Sequence, residues 1–379
     1  MNPQQPMNRH KKLRVAVVGL GIGQGHLQSY AQIPELYEIK AVCDLDEAKA
    51  KAVAAEFGVA WHTPHFSDLL ASHEIDVVDI CTPPNTHRAL IEQGLAAGLH
   101  VICEKPLVGS LQDMDTILSA QTAAKGTLFP IFQYRFGNGL QKLKHLQAKG
   151  FAHTAYLTTI ETSWRREADY YAVAWRGKWA TEKGGCCLTH ASHAHDILTY
   201  VLGPIKTVFA HLATRVNDIE VEDCAAISLS MADGSVASLS VTLGAAQELS
   251  RLRFMFSDLT VESDSPEPYR PGKEPWHFLG KTPEIDAAMT VALADFKPAL
   301  ESFEGQFALI HAAITTGAPN PVSLPDARQA LELITAIYHS GETGAAVTLP
   351  IAKNHPKYSC WTPSTGHFST HFPKAVIHG

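Results

Sequence analysis

Two short runs in the first third of the chain hold the side chains best suited to chemistry. Val101-Ile-Cys-Glu-Lys-Pro106 reads as a buried strand ending in an acid, a lysine and a proline. It puts the ammonium group of Lys105 at the carboxyl end of a parallel strand, where open α/β sheets bind ligands. Upstream, Val15-Ala-Val-Val18 runs into Gly19-Leu-Gly-Ile-Gly-Gln-Gly25, a glycine-rich turn before a helix. Backbone there can approach a pyrophosphate closely, and the helix N-terminus favours its charge. Gly19, Gly21, Ile22 and Gly23 would form this cradle. The spacing departs from GxGxxG, because the third glycine falls at Gly23 or Gly25 and not at residue 24. Asp44 ends the next strand, where a carboxylate accepts hydrogen bonds from an adenosine ribose and repels a 2′-phosphate. No arginine stands in 45–49 to clasp such a phosphate. The cofactor expected is NAD rather than NADP, and a dinucleotide beside a positioned lysine points to hydride chemistry.

Such side chains need a sheet that brings strand ends to one edge. Apolar runs of strand length stand at Leu13–Val18, Ile39–Cys43, Val77–Cys81, His100–Cys103 and Leu128–Phe132. Helical patterns lie between them at Leu27–Ile33, Glu47–Phe57, Ala89–Ala97 and Met114–Lys125, with Gly58, Gly98 and Gly126 at expected C-caps. This alternation predicts an α/β fold, an N-terminal Rossmann dinucleotide-binding domain over residues 1–134. Beyond it the pattern becomes longer strands: Thr154–Ser163, Ile205–Thr214, Cys224–Met231, Val236–Gly244 and Leu252–Phe256. One helix, Leu188–Leu202, interrupts them, and helices at Glu301–Thr316 and Pro325–Ser340 follow. Residues 135–352 thus read as an α+β domain on an antiparallel sheet. Residues 353–379 read as an extended C-terminal tail, too aromatic (Tyr358, Trp361, Phe368, Phe372) to stay unpacked. It would cover an active site or a subunit interface.

Composition narrows the partners. The 379 residues carry 31 Lys and Arg against 38 Asp and Glu, a net charge of −7 with no basic run. That argues against nucleic acid or an anionic membrane as partner. No apolar run approaches the ~20 residues of a membrane span. The polar segment Met1–Lys12 lacks a signal-peptide core and reads as a frayed arm. Seven cysteines without CxxC spacing read as reduced core thiols of a cytoplasmic protein.

With these residues in view, the chain resembles the Gfo/Idh/MocA oxidoreductases, relatives of inositol dehydrogenase and glucose-fructose oxidoreductase. The resemblance rests on the glycine turn, on Ile80-Cys-Thr-Pro-Pro-Asn-Thr-His87, on Ala96 to Pro106 with its Glu-Lys-Pro, and on Gly184-Gly185 leading to His193 and Asp196. It implies a Rossmann domain followed by an open-faced antiparallel sheet, and a homodimer or homotetramer formed through that sheet. It implies oxidation or reduction of a hydroxyl carbon in sugars, inositols or other polyols of carbohydrate metabolism. By the same resemblance Thr82, Pro83, Asn85 and His87 lie along the nicotinamide side of the cofactor, and Glu104 and Lys105 at the nicotinamide and substrate. His87 reads equally as a helix-start residue. His193 fits the family histidine, whereas Thr189 stands where the family usually has Asp. His190 could take over part of that orienting role.

His190 and His193 lie one turn apart, but His193 and His195 point to different faces of a helix. No metal is therefore expected, and His195 reads as a helix-surface residue. Ser163-Trp-Arg-Arg166 and Tyr170 to Trp179 combine rings with guanidinium groups. Trp164, Arg165, Trp175 and Arg176 suit a polyol, whose CH faces stack on rings and whose hydroxyls need planar donors. The alternative for this run is a surface loop with an aromatic anchor. Tyr134 and Arg135, where the chain leaves the first domain, would face the same cleft, with Thr189, His190 and His193. The reading is an NAD-dependent dehydrogenase with Lys105 and His193 catalytic, the base being either one. A glycosidase using bound NAD for transient oxidation, and a non-catalytic dinucleotide-binding regulator, are the alternatives.

Overall fold

The computed structural model describes residues 11–364. These divide into two compact units: residues up to 108 with 113–132 and 300–327, and residues 109–112, 133–299 and 328 onward.

In the first unit the elements are β1 (Leu13–Val18), α1 (Gly23–Ala31), β2 (Tyr37–Cys43), α2 (Glu47–Phe57), β3 (Trp61–Thr63), α3 (Phe66–Ala71), β4 (Val77–Ile80), α4 (Pro84–Ala96), β5 (His100–Cys103), α5 (Leu111–Ala123) and β6 (Leu128–Pro130). The six strands form a parallel sheet in the order β3-β2-β1-β4-β5-β6. β1 is Val-rich and buried, as a strand covered on both faces must be. Its direct pairing with both β2 and β4 makes it the point where strand order reverses, so the turns after β1 and β4 bound the ligand crevice. α2 matches its sequence pattern residue for residue: Asp46 accepts from Lys49 N at 3.1 Å, and Gly58 closes the helix at φ 66°. The expectation for Gly126 needs correction. It is not a left-handed cap, and it is glycine because a Cβ there would lie 1.8 Å from the Leu99 carbonyl oxygen. β3 and α3 were not foreseen, being too short to show a period.

The second unit begins with a 3₁₀ turn at Gln133–Phe136. It continues with α6 (Asn138–Ala148), β7 (Ala155–Arg165), α7 (Ala168–Tyr171), α8 (Cys186–Thr189), α9 (Ser192–Leu202), β8 (Ile205–Ala213), β9 (Cys224–Met231), β10 (Val236–Thr242), β11 (Gly244–Phe256), β12 (Leu259–Ser263), β13 (Trp276–Gly280) and α10 (Pro283–Leu293). After α11 (Ser302–Thr316), α12 (Leu324–Thr343) and β14 (Val347–Thr348) complete the chain's regular elements among the described residues. The eight strands run β13-β12-β11-β7-β10-β9-β8-β14. The sheet is mostly antiparallel, as expected, but β7 and β10 pair in parallel. They are not sequential neighbours, so no hairpin fixes their sense. The hairpin at Ala232–Ser235 joins β9 to β10, with Gly234 at φ 92°.

Two expectations about helices are revised. The single helix over 188–202 is two, broken at His190 and Ala191. Residues 300–327 fall in the first unit, not the second. There Phe307 and Ile310 of α11 join the core with Leu13, Leu27 and Val42. The Phe307 ring stacks on Tyr30 at 4.3 Å, and Tyr37 donates its hydroxyl to the Phe307 carbonyl at 2.8 Å.

The tail from residue 353 packs on α12: Trp361 is buried, and its indole N–H donates to Thr335 at 3.0 Å. Phe368, Phe372 and the N-terminal arm before residue 11 lie outside the described residues. The cysteines are all free thiols, but Cys224 is half-buried and Cys360 exposed, so not all are core thiols.

If α11 belongs to the first unit's core, Phe307→Ala should cost about 3–5 kcal/mol in urea unfolding. A loss below about 1 kcal/mol would contradict that placing.

Candidate active site

The glycine turn is shaped by what a side chain would strike. Gly19 sits at φ 87°, and a Cβ there would come within 2.8 Å of the Cys81 carbonyl group. A Cβ on Gly23 would press on Val17 and Cys81 at 3.0 and 3.3 Å, whereas one on Gly25 would meet only Ile22 at 3.9 Å. Gly23 is therefore the helix-packing glycine. Gly21 faces open space, and Ile22 beside it is 52% exposed. α1 begins with no side-chain cap and no acid in its first turn. Its end is left to an incoming anion.

Asp44 is tied to this turn. Its carboxylate accepts from Leu20 N at 2.8 Å, Asp46 N at 3.1 Å and Lys49 Nζ at 3.0 Å. Burial opposes the charge, but those donors hold its pKa below the usual carboxylate range. The residue stays an anion directly after β2.

Beneath the turn lies a buried network that the sequence reading missed. His26, on α1, has Nδ1 2.8 Å from Asp79 and Nε2 3.1 Å from Glu104. Tyr30 donates to the same Asp79 oxygen at 2.9 Å, and Cys81 Sγ lies 3.3 Å from Nδ1. Both imidazole nitrogens face carboxylates, so both carry protons and His26 is an imidazolium. Burial works against that charge, yet Asp79 raises the pKa well above the ordinary histidine value. The other Glu104 oxygen accepts from Lys105 N at 2.9 Å. Glu104 thus fixes the backbone that presents Lys105, which is half-buried. A signal was available: Asp79 is a charge inside the apolar strand Val77–Ile80, and such a charge needs a partner.

The turn after β4 is tied to the same region. Thr82 and Thr86 share a hydroxyl contact of 2.6 Å, Pro83 caps α4, and Asn85 is exposed. His87 stands in the first turn of α4, as its helix-start reading has it. It is buried, with its nitrogens 2.8 Å from the carbonyl oxygens of Pro106 and Thr82. Two main-chain acceptors draw its ring inward, and it braces the Thr82 turn against the Lys105–Pro106 turn.

In the second unit a double glycine precedes the broken helix. A Cβ on Gly185 would lie 1.9 Å from the Glu222 carbonyl oxygen, and one on Gly184 2.2 Å from the Tyr338 hydroxyl. Glu222 is buried and accepts from Gly185 N and Cys187 N, each at 3.0 Å, and from Tyr338 at 3.1 Å. Burial still pushes its pKa up to about 7.

Thr189 lies 2.8 Å from both the Gly185 carbonyl oxygen and His190 Nδ1. A carbonyl only accepts, so the single hydroxyl proton goes to Gly185 and His190 Nδ1 must be the donor to Thr189. Thr189 therefore sets the His190 tautomer, an orienting task open to a carboxylate in its place. His193 is buried and stacks on Tyr134 at 4.5 Å. Arg135 holds Asp196 through two bonds of 2.6 Å and lies over the Tyr200 ring at 4.6 Å. Two nitrogens of Arg135 are thereby used within the domain, on α9. His195 is not a surface residue as expected. It is 2% exposed, and burial drives its pKa down to about 3.

The aromatic run divides by strand alternation. Trp164 points inward, with its indole N–H on Ser250 at 3.0 Å and its ring 5.8 Å from His190. Arg165 points to the other side, 57% exposed, next to Glu167, and is thereby separated from the other candidates. Arg166 takes its place, stacked over Trp164, Tyr170 and Tyr269 at 5.1–5.4 Å. Arg176 lies over Tyr170 at 3.7 Å and over Trp175 at 4.6 Å.

Residues 13–132 match the family profile described as "Oxidoreductase family, NAD-binding Rossmann fold", and 140–262 match "GFO/IDH/MocA C-terminal domain". The chain belongs to the Gfo/Idh/MocA oxidoreductases. Its first domain is an NAD-binding Rossmann domain. The chain is 29% identical to myo-inositol 2-dehydrogenase of Thermotoga maritima over 54% of its own length and 60% of the relative's. It is 26% identical to D-glucoside 3-dehydrogenase of Escherichia coli over 89% and 97%. It spans about two thirds of the length of several other curated relatives. The crystal structure of the WlbA dehydrogenase from Bordetella pertussis, in complex with NADH and UDP-GlcNAcA, aligns with a TM-score of 0.79 at 27% identity, covering 90% of this chain and 100% of that one. No helix among the described residues is long and apolar enough to cross a membrane.

Two outcomes follow from this geometry. His26→Leu strips both buried carboxylates of their partner and should cost about 3–5 kcal/mol. The raised pKa means that the stabilisation from charged His26 is complete below the unfolded value of ~6.5 and is lost only as pH rises through the folded one. Nitrogen NMR should therefore find His26 doubly protonated at pH 8, and a neutral ring would refute the assignment. At the other end of the cofactor site, Asp44→Ser should shift the kcat/KM ratio toward NADP by about tenfold or more, the equivalent of ~1.4 kcal/mol. An unchanged ratio would count against Asp44 as the discriminator.

Proposed function

We propose that the chain is an NAD-dependent dehydrogenase that oxidises a hydroxyl group of a sugar, inositol or related polyol. The observation that carries this reading is the Glu104–Lys105 turn. The main chain of Lys105 is held at a strand end by a buried carboxylate, in a domain of NAD-binding type whose glycine turn leaves no room for a Cβ at Gly19. The dehydrogenases named for myo-inositol and D-glucosides support the substrate class.

The chain's own groups fit the cofactor: Gly19, Gly21, Ile22 and Gly23 leave room for a pyrophosphate, and Asp44 supplies an acceptor for ribose hydroxyls. Thr82, Pro83, Asn85 and Glu104 would hold its nicotinamide half. Bound NAD⁺ supplies the acceptor for the two electrons that leave the carbinol carbon. The protein must handle the proton. Lys105 would donate a hydrogen bond to the hydroxyl oxygen and stabilise negative charge developing there. His193 would take the hydroxyl proton as general base, with Tyr134 stacked on its ring to hold its plane. His190, oriented by Thr189, stands three residues away as the competing acceptor. Trp164, Trp175 and Arg176 supply ring faces and donors for a carbohydrate. We also infer a homodimer or homotetramer in a reducing, cytoplasmic setting, in keeping with the free thiols and the broad second sheet. Light scattering checks the assembly.

The test is an NADH-formation screen over sugars, inositols, sugar acids and glycosides. NADH from a free sugar or polyol supports the dehydrogenase, while glycoside cleavage without net NADH would replace it with the glycosidase reading. On the active substrate, Lys105→Ala and His193→Ala should each lose about 10²–10⁴-fold in kcat/KM, with NAD affinity little changed in His193→Ala. If the two act on one oxygen, the double variant loses less than the product of the single losses. Near-normal turnover in His193→Ala with inactive His190→Ala would transfer the base role to His190.

A further inference from the structure

Among the described residues no anion touches the guanidinium of Arg176. Its guanidinium is stacked between Tyr170 and Trp175, and among the described residues it makes no ion pair or side-chain hydrogen bond. Its Nε is buried with no acceptor. Contact with ring faces satisfies none of the fork's five donors.

The neighbour sharpens the point. Arg166 packs against the same Tyr170 ring, at 5.1 Å. Arg166 has its counter-charge: its NH1 nitrogen donates to Glu248 at 3.1 Å and to the Tyr269 hydroxyl at 3.1 Å, and Tyr269 in turn donates to Glu248 at 2.7 Å. Its Nε is also buried with no acceptor. Glu182 is the carboxylate whose field reaches Arg176, but it is buried and accepts from Gly177 N. Partial burial lowers the Arg176 pKa, and Arg166 opposes its charge as well. Two like charges on one ring, one of them unneutralised, are unfavourable unless a third charge completes the set. The cluster adjoins the candidate proton acceptors: Tyr170 and Trp164 both pack on His190, at 5.5 and 5.8 Å.

We propose that Arg176, with the buried Nε of Arg166, seats an anionic group of the substrate, so that the sugar oxidised is an acidic one. A carboxylate and a phosphate both match a planar guanidinium fork. A neutral polyol could accept from the fork but would bring no counter-charge to it. This rests on the dehydrogenase reading only for the turnover arm of the test, since binding is measured separately.

The experiment compares matched neutral and anionic ligands: glucose with glucuronate and glucose 6-phosphate, galactose with galacturonate. NADH formation and calorimetric binding in the presence of NAD are both recorded. One anionic class should exceed its neutral partner by about tenfold or more in kcat/KM, and uronates against phosphates identify which. Arg176→Ala should raise KM for that anion by about 10–100-fold, as loss of a charge-assisted bond does, and should remove most of the anion's advantage over its neutral partner. Arg176→Lys should recover part of the loss, which a role in packing alone would not require. Neutral sugars turned over as well as their acids, or Arg176→Ala weakening both equally, would overturn the proposal and leave the dehydrogenase intact. An anion that binds through Arg176 with no NADH formed from any compound would uphold the seat and defeat the dehydrogenase reading. No anion binding and no turnover would defeat both.

Discussion

An imidazolium clamped between two buried carboxylates is the constraint on which the first domain is built. Asp79 belongs to β4, Glu104 follows β5, and His26 comes from α1. One cation joins three elements that would otherwise bury negative charge together. Such a pair adds little net stability over an apolar core, because desolvation consumes the attraction, but it permits few alternative arrangements. It positions the helix that follows the glycine turn and the main chain that carries Lys105. The phenyl rings of Phe303 and Phe307 pack on His26 at 4.3 and 5.3 Å and keep water from relaxing the network.

The second domain solves a similar problem with different chemistry. Arg135 and Asp196 form a buried bidentate pair that joins the 3₁₀ turn to α9, and this carries Tyr134 onto His193. Glu222 gathers the main-chain donors around the double glycine, so the chain can enter α8 at an angle no side chain would allow. The break between α8 and α9 then lets His190 and His193 occupy separate helical frames. His190 turns to Trp164 and Tyr170, and His193 to Tyr134.

Much of this was legible in the sequence, for physical reasons. Strands covered on both faces must be continuous apolar runs, so β1 and β5 stood out with correct ends, and β9 did so by alternating buried with exposed residues. Gly19 and Gly23 were readable because a strand-to-helix turn that tight excludes Cβ atoms. Lys105 was readable because the end of a parallel strand is where open sheets bind ligands. Asp79 was in plain view as a charge in an apolar strand, but its partner His26 is 53 residues upstream, and Glu104, the second carboxylate on that imidazole, is 78 residues from His26, so no local pattern joins them.

Tertiary structure decided the rest. Arg165 and Arg166 are adjacent and chemically identical, and only strand direction sends one out and the other onto three rings. His195 has the polarity of a surface residue, yet α9 is buried on nearly every side, so it is neutral and enclosed. His87 owes its inward position to two carbonyl groups, Thr82 in the turn before its helix and Pro106 from the turn after β5. Residues 300–327 follow the second sheet in sequence, but Phe307 and Ile310 complete the first domain's core. Periodicity and turn chemistry are local, so the sequence alone determined the elements, the glycine turn and the place of Lys105. Burial, charge pairing and core membership depend on contacts between distant residues, so only the folded chain decided which side chains face a ligand and which hold the structure together.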